Sequence, residues 1–600
     1  MYSNIFSFIS FAFLLISVIY LAVYLVLPRR LKVPLIAVSG VGIFIATFML
    51  FVPINLVAFD GKDFRVFKTI LISIYNTIAV FTANSDYSAI YEYTLTIEND
   101  ILLNFYRVVS SMLYVIAPVT TFSIVLSFFK NAKAGLNYML SFHKNVYIFS
   151  ELNSKTILLA EDIREKEKRS TIVFTSVTDD LKESDDELYQ RADVMKCILF
   201  KSDLTARKFK HHLKNRQIRV FIMNENEDEA VTLYDYIFNE LKDNENAAIY
   251  FKSGSAQGKL AINRNNIPHK VKVFRVNYDT LFIYNYLHDH GFQLFDSAKY
   301  DEKLGKKVIS VVIFGVGRYG TQLLKALCWY CQMDGYYLKI AAIDGDDKLK
   351  SRLASEAPEL FDEDHNKKDI EGDAQYYIDV YEGLRNHTIE YDKLIESITD
   401  CTIAFACTGQ DESNIDAALN MRMLFERAGV HPIINAIVSG DRAGMFQNAT
   451  NFRGQKYDIQ YMGDYKSSYS MNTIIYSGIE RKGLEIHKRY GGKEDDFWLY
   501  EYNYRSSCAS AIHLEAKIHC GIPGVDKDEE SLTPQEKENL QILEHKRWNA
   551  WMRGEGYIAT ENTDKDATSI AKMHFDLVPF KKLDPEEKEK DSRVNTRKKK

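Results

Sequence analysis

The sequence predicts an α-helical membrane-spanning segment joined to parallel α/β lobes, and three observations carry that reading. Residues from about 5 to 130 are mostly apolar, whereas nearly everything after them is mixed and charged. From residue 145 short apolar runs alternate with amphipathic helical stretches, the pattern of a parallel sheet with helical crossovers. One such run leads into the glycine-rich turn Gly315-Val316-Gly317-Arg318-Tyr319-Gly320. The length of 600 residues exceeds what one core organises, so several domains are expected. A net charge of −6 gives no basic field, and no nucleic-acid partner is expected.

In the apolar segment (1–130), Ile5 to Leu27 carries no charge and is long enough to cross a hydrocarbon core of roughly 30 Å as a helix. It lacks the basic start and small-residue cleavage site of a signal peptide. Arg29, Arg30 and Lys32 follow, then a second apolar run over about 33–59 and a third over 108–129. Between them, 67–85 is apolar but broken by Lys68, Asn76, Thr77 and Asn84. Two parses compete: a fourth span with both termini inside, or a re-entrant segment with the N-terminus outside. The basic cluster at 29–32 favours the second, because it then faces the cytoplasm with Lys130, Lys133 and Lys144. A span, a short partly polar helix, a loop and a span is the layout of a simple pore. Thr82, Asn84 and Asp86 would then occupy the filter position, without the glycines of a potassium filter. A surface loop after an ordinary helix is the competing reading. Ser111, Tyr114, Pro118 and Thr121 share one face of the third span, either lining a pore with a proline hinge or packing helix on helix.

In the second α/β lobe (306–460), the strand Val308–Phe314 runs into the glycine turn and then a helix beginning near Gln322. The glycines of G-x-G-x-x-G permit a tight turn and close approach of a diphosphate to the helix N-terminus. The next strand ends at Asp344, 24 residues past Gly320, where a ribose-binding carboxylate belongs. This is a Rossmann-like lobe, and Gly315, Gly317, Arg318, Gly320, Asp344 and Thr408 are its candidate cofactor contacts, for NAD or another nucleotide. A glycine turn kept only for helix–sheet packing is the alternative. Cys328 and Cys331 fall in the following helix body and read as a buried structural pair. No metal-ligand spacing is present.

The same layout occurs in 145–300. Asn145–Phe149 leads into Ser150-Glu151-Leu152-Asn153-Ser154-Lys155, with Ser150, Leu152 and Lys155 standing where Gly315, Gly317 and Gly320 stand later. Side chains at those three places would obstruct a diphosphate. This lobe is therefore expected to serve dimerisation and coupling.

A membrane segment joined to such lobes, with Lys201-Ser202-Asp203-Leu204-Thr205 and Asn224-Glu225-Asn226-Glu227-Asp228-Glu229-Ala230, resembles the regulator-of-potassium-conductance (RCK, or TrkA-N) family over roughly 145–455. That resemblance implies lobes that dimerise, bind nucleotides or ions in their clefts, and regulate an attached transport unit. Past about 467 the alternation stops. The combination Glu544-His545, Trp548-Asn549, Arg553 and Gly556-Tyr557 resembles the RyR domain, first described as a repeat in ryanodine receptors, over roughly 470–580. It implies a small, mainly helical module sensing a nucleotide-derived second messenger, of a kind found with bacterial anti-phage systems. Trp548 is the candidate base-stacking residue there, with Arg505, His513, His545 and Arg553 as the polar candidates; a core anchor with satisfied buried donors is the alternative. The charged tail 581–600 lacks apolar periodicity and is expected to be disordered.

Together these features point to a ligand-gated membrane effector: a pore for inorganic ions in the lipid bilayer, controlled by nucleotide-sensing lobes. It is expected in the cell (inner) membrane as a multi-pass homo-oligomer, dimer or tetramer, with its C-terminal domains cytoplasmic. No nucleophile–base constellation is present, so it is not expected to be an enzyme. A non-conducting membrane-anchored sensor and a membrane-anchored NAD-dependent enzyme are the alternatives.

Overall fold

The computed structural model describes residues 2–26, 32–128, 134–135, 137–138, 145–177, 183–205, 217–252, 254–263, 269–362, 376–438, 446, 448–463 and 468–592. The chain divides into two compact units, Met1–Leu140 and Ser141–Lys600.

The first unit contains α1 (Tyr2–Val26), α2 (Lys32–Ala58), α3 (Arg65–Phe81), α4 (Ser88–Thr94) and α5 (Asp100–Phe128). Among the described residues two stretches, Gly40–Ala58 and Asp100–Phe122, are long and apolar enough to cross a membrane. Helices α1 and α2 run antiparallel: Ser10 donates to the Ala46 carbonyl, and Ser17 lies against Gly42, where any side chain would collide with its hydroxyl. Small residues let the two backbones approach. Helix α3 runs antiparallel to α2, with Asn55 donating to Ser73 Oγ at 2.9 Å and the rings of Phe44 and Phe81 5.7 Å apart. It therefore ends level with the middle of α2. The chain then turns back along α5. Ser85 meets the Tyr114 hydroxyl at 2.9 Å, and the Tyr93 and Tyr106 rings lie 5.4 Å apart. Residues 65–94 thus descend halfway through the bundle and return to the end they came from. The helical part is one unbroken 17-residue element starting at Arg65, and α5 begins eight residues before the expected 108.

Burial in α3 is inverted. Thr69, Ser73 and Thr77 are buried, whereas Phe67, Ile70, Leu71, Ile74 and Ile78 are exposed. On α5 Val108, Met112, Val115, Val119 and Phe122 form an exposed stripe.

The second unit holds two parallel sheets. The first has strands β1 (Val146–Phe149), β2 (Thr171–Phe174), β3 (Ile198–Leu199), β4 (Ile218–Ile222), β5 (Ala247–Lys252) and β6 (Lys272–Val276), in the order β3-β2-β1-β4-β5-β6. The second has β7 (Lys299–Asp301), β8 (Lys306–Phe314), β9 (Tyr336–Ile343), β10 (Tyr376–Tyr381), β11 (Ile403–Ala406), β12 (Ile433–Ile437) and β13 (Ile459–Met462), in the order β10-β9-β8-β11-β12-β13. Both orders are those of dinucleotide-binding Rossmann folds, with the connection reversing direction beside β1 in the first sheet and β8 in the second. Strand β7, assigned by its position in the sequence to the first lobe, instead pairs antiparallel with β8 of the second.

The rest is mainly helical. Its main elements are Gly478–Arg489, Glu494–Leu499, Glu501–His519 and Pro534–Gly554, the last started by a capping box of Thr533 and Glu536. A fully buried ionic cluster joins two of them: Glu544 accepts from Lys517 at 3.0 Å and from Arg547 at 2.8 Å. This module is tied to both lobes. Arg275 of β6 donates to the carbonyls of Trp498 (3.3 Å) and Leu499, Tyr469, Met471 and Ile474 belong to the core of the first sheet, and Ala509, Ile512, Trp551 and Met552 belong to the core that includes β8 and β9 of the second.

The expectation of a disordered 581–600 is corrected up to Ser592. A helix spans Pro585–Ser592, with Glu589 paired to Lys537 at 2.7 Å and Asp591 3.6 Å from His545. The partners lie on the helix Pro534–Gly554, a tertiary pairing that local composition does not disclose. Residues 593–600 lie outside the described residues.

Candidate functional site

The residues singled out around the glycine turn converge on the C-terminal ends of β8, β9 and β11, the point where the strand order reverses. Strand β8 is buried on both faces and delivers its last residue, Phe314, to Gly315. Gly315 has φ +91°, and a Cβ there would sit 2.5 Å from the Thr408 amide nitrogen. A Cβ on Gly320 would collide with the Gly315 carbonyl. These two glycines are required by the packing of turn, helix and neighbouring strand. Gly317 is different. Its φ is −73°, and a Cβ on it would meet nothing within 4 Å. It caps the helix Arg318–Tyr330, and no N-cap side chain accepts from the first-turn amides.

Asp344 follows β9. Its Oδ2 accepts from the Val316 amide at 2.6 Å and its Oδ1 from the Asp346 amide at 2.9 Å, fixing the carboxylate against the turn. Ionised carboxylates offer about four acceptor positions, so capacity for ribose hydroxyls is left. Arg352, not singled out in the sequence, donates to the Val316 carbonyl at 2.6 Å and to Thr321 Oγ1 at 3.3 Å, bracing the turn from behind. Thr408 donates its amide (2.6 Å) and hydroxyl (2.8 Å) to Asn414 Oδ1, whose amide donates to the Ile437 carbonyl at 2.8 Å. Arg318 lies 5.7 Å from the Tyr319 ring. Arg352 sits outside any motif, and only the fold shows its part. Cys328 and Cys331 are fully buried free thiols, pushed up by burial.

In the first lobe the corresponding turn is one residue longer. Helix Ser154–Lys166 is capped by Asn153, so Asn153 and Thr156, rather than Leu152 and Lys155, stand opposite Gly317 and Gly320. Asn153 Oδ1 accepts from the amides of Lys155 (3.1 Å) and Thr156 (2.9 Å), closing the amides that a phosphate would use. Glu151 adds a carboxylate, accepting from the Glu225 amide at 2.8 Å.

In the first unit Thr82, Asn84 and Asp86 lie in the turn between α3 and α4. Thr82 Oγ1 donates back to the Ile78 carbonyl at 3.1 Å, Ala83 is held at φ +55°, and Asp86 Oδ1 accepts from the amide (3.1 Å) and hydroxyl (2.6 Å) of Ser88. Tyr114 donates to the Asp86 carbonyl at 2.9 Å. Thr82, Asn84 and Asp86 are all exposed on the single protomer. Pro118 sits inside α5 one turn beyond Tyr114 and removes a helix hydrogen bond there.

The five polar and aromatic candidates of the C-terminal module do not meet in one open site. Arg505 pairs with Glu555 at 2.6 Å, and Arg553 lies 3.4 Å from Glu359. Burial, with Lys517 nearby, pushes His513 well below the usual imidazole range; its Nε2 donates to the Gln332 carbonyl at 2.8 Å. His545 Nε2 bonds the Val578 carbonyl at 2.6 Å, and Trp548 donates to the Tyr502 hydroxyl at 3.2 Å. Glu544, the first residue of the motif, is the buried acceptor for Lys517, Arg547 and Ser510.

No protein-family profile matches the chain. No curated protein matches it. Among solved structures it is similar to the crystal structure of a GsuK mutant, at 14% identity and a TM-score of 0.32, with 70% of this chain and 94% of that chain covered.

Proposed function

We propose that the chain is a ligand-gated membrane effector, an oligomeric ion pore controlled by nucleotide binding at the glycine turn of its second lobe. The observation that carries the reading is the polar turn Thr82–Asp86. It lies level with the middle of α2 and α5 and is exposed on the protomer, in a unit that also exposes the apolar side chains Ile74 and Ile78 of α3 and Val115 and Val119 of α5. Bilayer hydrocarbon tolerates irregular polar backbone only against protein or water, so further copies must cover this turn or enclose an aqueous path along it. The inverted α3 fits the same setting, with hydroxyls inside between helices and large apolar side chains outside toward lipid.

Nucleotide control rests on Gly317. Two of the three glycines are needed by the fold; at the third, a Cβ would meet no atom of the described residues within 4 Å, beside helix amides suited to a diphosphate. Seventeen residues separate α5 from β1, so movement of the lobes can be passed on along the chain. Opening from 1:99 to 99:1 requires the ligand to favour the open form by about 5.5 kcal/mol.

The test is ion flux from liposomes holding the purified protein, with and without added nucleotide. Nucleotide-dependent flux is expected. Binding without flux would make the chain a non-conducting sensor, and turnover of NAD would make it an enzyme.

A further inference from the structure

Two motif residues of the C-terminal module, Arg553 and Gly556, meet their partners on one short segment of the second lobe, residues 352–359. The same segment carries Arg352, which braces the glycine turn. We infer that the C-terminal module sets ligand affinity at the glycine turn, with Arg352 as the positioning residue through which its docking acts. The inference rests on the nucleotide reading above and adds a means of controlling it.

The dock is made at close quarters. Arg553 is buried, and its Nε lies 3.4 Å from the Glu359 carboxylate, whose other oxygen accepts from the Ala559 amide. Gly556 has φ +85°, and a Cβ on it would sit 2.7 Å from the Glu356 carbonyl oxygen, so backbone lies directly on backbone. Gly554 lies over the helix Arg318–Tyr330, where its Cβ would be 3.5 Å from that of Lys325.

Glu356 joins this dock to the turn. It ends the helix Leu349–Glu356, and its carboxylate accepts from Lys325 at 3.1 Å and from Arg352 at 3.3 Å. Arg352 also donates to the Val316 carbonyl and to Thr321 Oγ1, and Val316 gives its amide to Asp344. Hydrogen bonds weaken steeply when their geometry is disturbed. A shift of Glu356 on undocking therefore withdraws a partner from Arg352, loosens its hold on Val316 and weakens the diphosphate seat. Linkage requires the reverse as well: a ligand that prefers the braced turn favours the docked module by the same factor.

Hydrogen–deuterium exchange on the detergent-solubilised full chain, with NAD as the probe, reads this coupling. Saturating NAD is expected to slow exchange of the Ala559 amide at least 5-fold relative to the Lys537 amide, at the opposite end of the helix Pro534–Gly554. In Arg352→Gln that relative slowing is expected to fall below 1.5-fold even at saturation, a change that the loss of a merely structural residue would not produce. Glu359→Gln, which alters only the dock, is expected to weaken NAD binding at least 3-fold in calorimetric titration. The wild-type exchange comparison needs no variant, so misfolding of either one leaves the test intact. NAD binding without preferential slowing at Ala559, slowing that survives in Arg352→Gln, or unchanged affinity in Glu359→Gln overturns the relay and leaves the nucleotide reading standing. Failure of NAD to bind the wild type overturns that reading, and the relay with it.

Discussion

The Val316 amide donates to Asp344 Oδ2 across 2.6 Å, so the carboxylate proposed as the ribose contact also holds the glycine turn in shape. Binding and turn geometry are therefore linked, and the three glycines beside it should respond to substitution in different ways.

Gly317→Trp is expected to leave stability within about 0.5 kcal/mol of wild type, since nothing lies near its Cβ. Nucleotide affinity should fall at least 100-fold. Gly320→Ala should instead cost roughly 1–3 kcal/mol through collision with the Gly315 carbonyl. Thermal melts paired with titration calorimetry separate the two; wild-type affinity in Gly317→Trp would remove the turn from the site.

Asp86→Asn is expected to shift cation preference or conductance in planar bilayers while the protein still assembles. Tyr114→Phe removes the hydroxyl that meets Ser85 and the Asp86 carbonyl, and should broaden or destabilise the open level. Currents identical to wild type in both variants would place this turn away from the ion path.

Glu480 is buried, which raises its carboxyl to about 8 against the opposing effect of a 2.6 Å hydrogen bond from Tyr504. The folded form keeps its proton where the unfolded chain, with an ordinary carboxylate near 4.5, has lost it. Stability contributed here is full below about pH 4.5 and declines as pH rises toward 8, by up to about 1.4 kcal/mol per pH unit. Glu480→Gln should flatten that slope. Denaturant midpoints from pH 5 to 8 that fall equally in both proteins would assign the decline to other groups.

Glu544 is held low by a different balance. Burial alone would raise it, but the Arg547 and Lys517 cations override that and keep it at about 2. Its contribution is present above the ordinary carboxylate range and is lost as pH falls from about 4.5 toward 2. Glu544→Gln leaves two buried cations unneutralised and should cost about 3–5 kcal/mol. Native-like melting of this variant would show the cluster to be replaceable.

Much of the architecture was legible because it rests on local pattern. The charge-free run from Ile5 and the sequence from Val308 to Gly320 each state their structure in consecutive residues. Pairing across distance was less readable. The first-lobe turn aligns naturally as Ser150, Leu152 and Lys155, yet one inserted residue moves the helix start to Asn153, and only the observed cap reveals it. Arg352 braces the glycine turn from 36 residues beyond its partner Val316, outside any fixed spacing. In the C-terminal module the polar residues are tied up by distant partners: Glu359 for Arg553, Gln332 for His513, Val578 for His545. Sequence shows their chemistry, but not that other parts of the chain already use it.

The bonds from Arg275 to Trp498 and from His513 to Gln332 bear on how soluble fragments should be cut. Ending a recombinant piece at Met462 would uncover the apolar seats of Tyr469, Met471 and Trp498 together and invite aggregation. A piece carried through Ser592 keeps those seats filled.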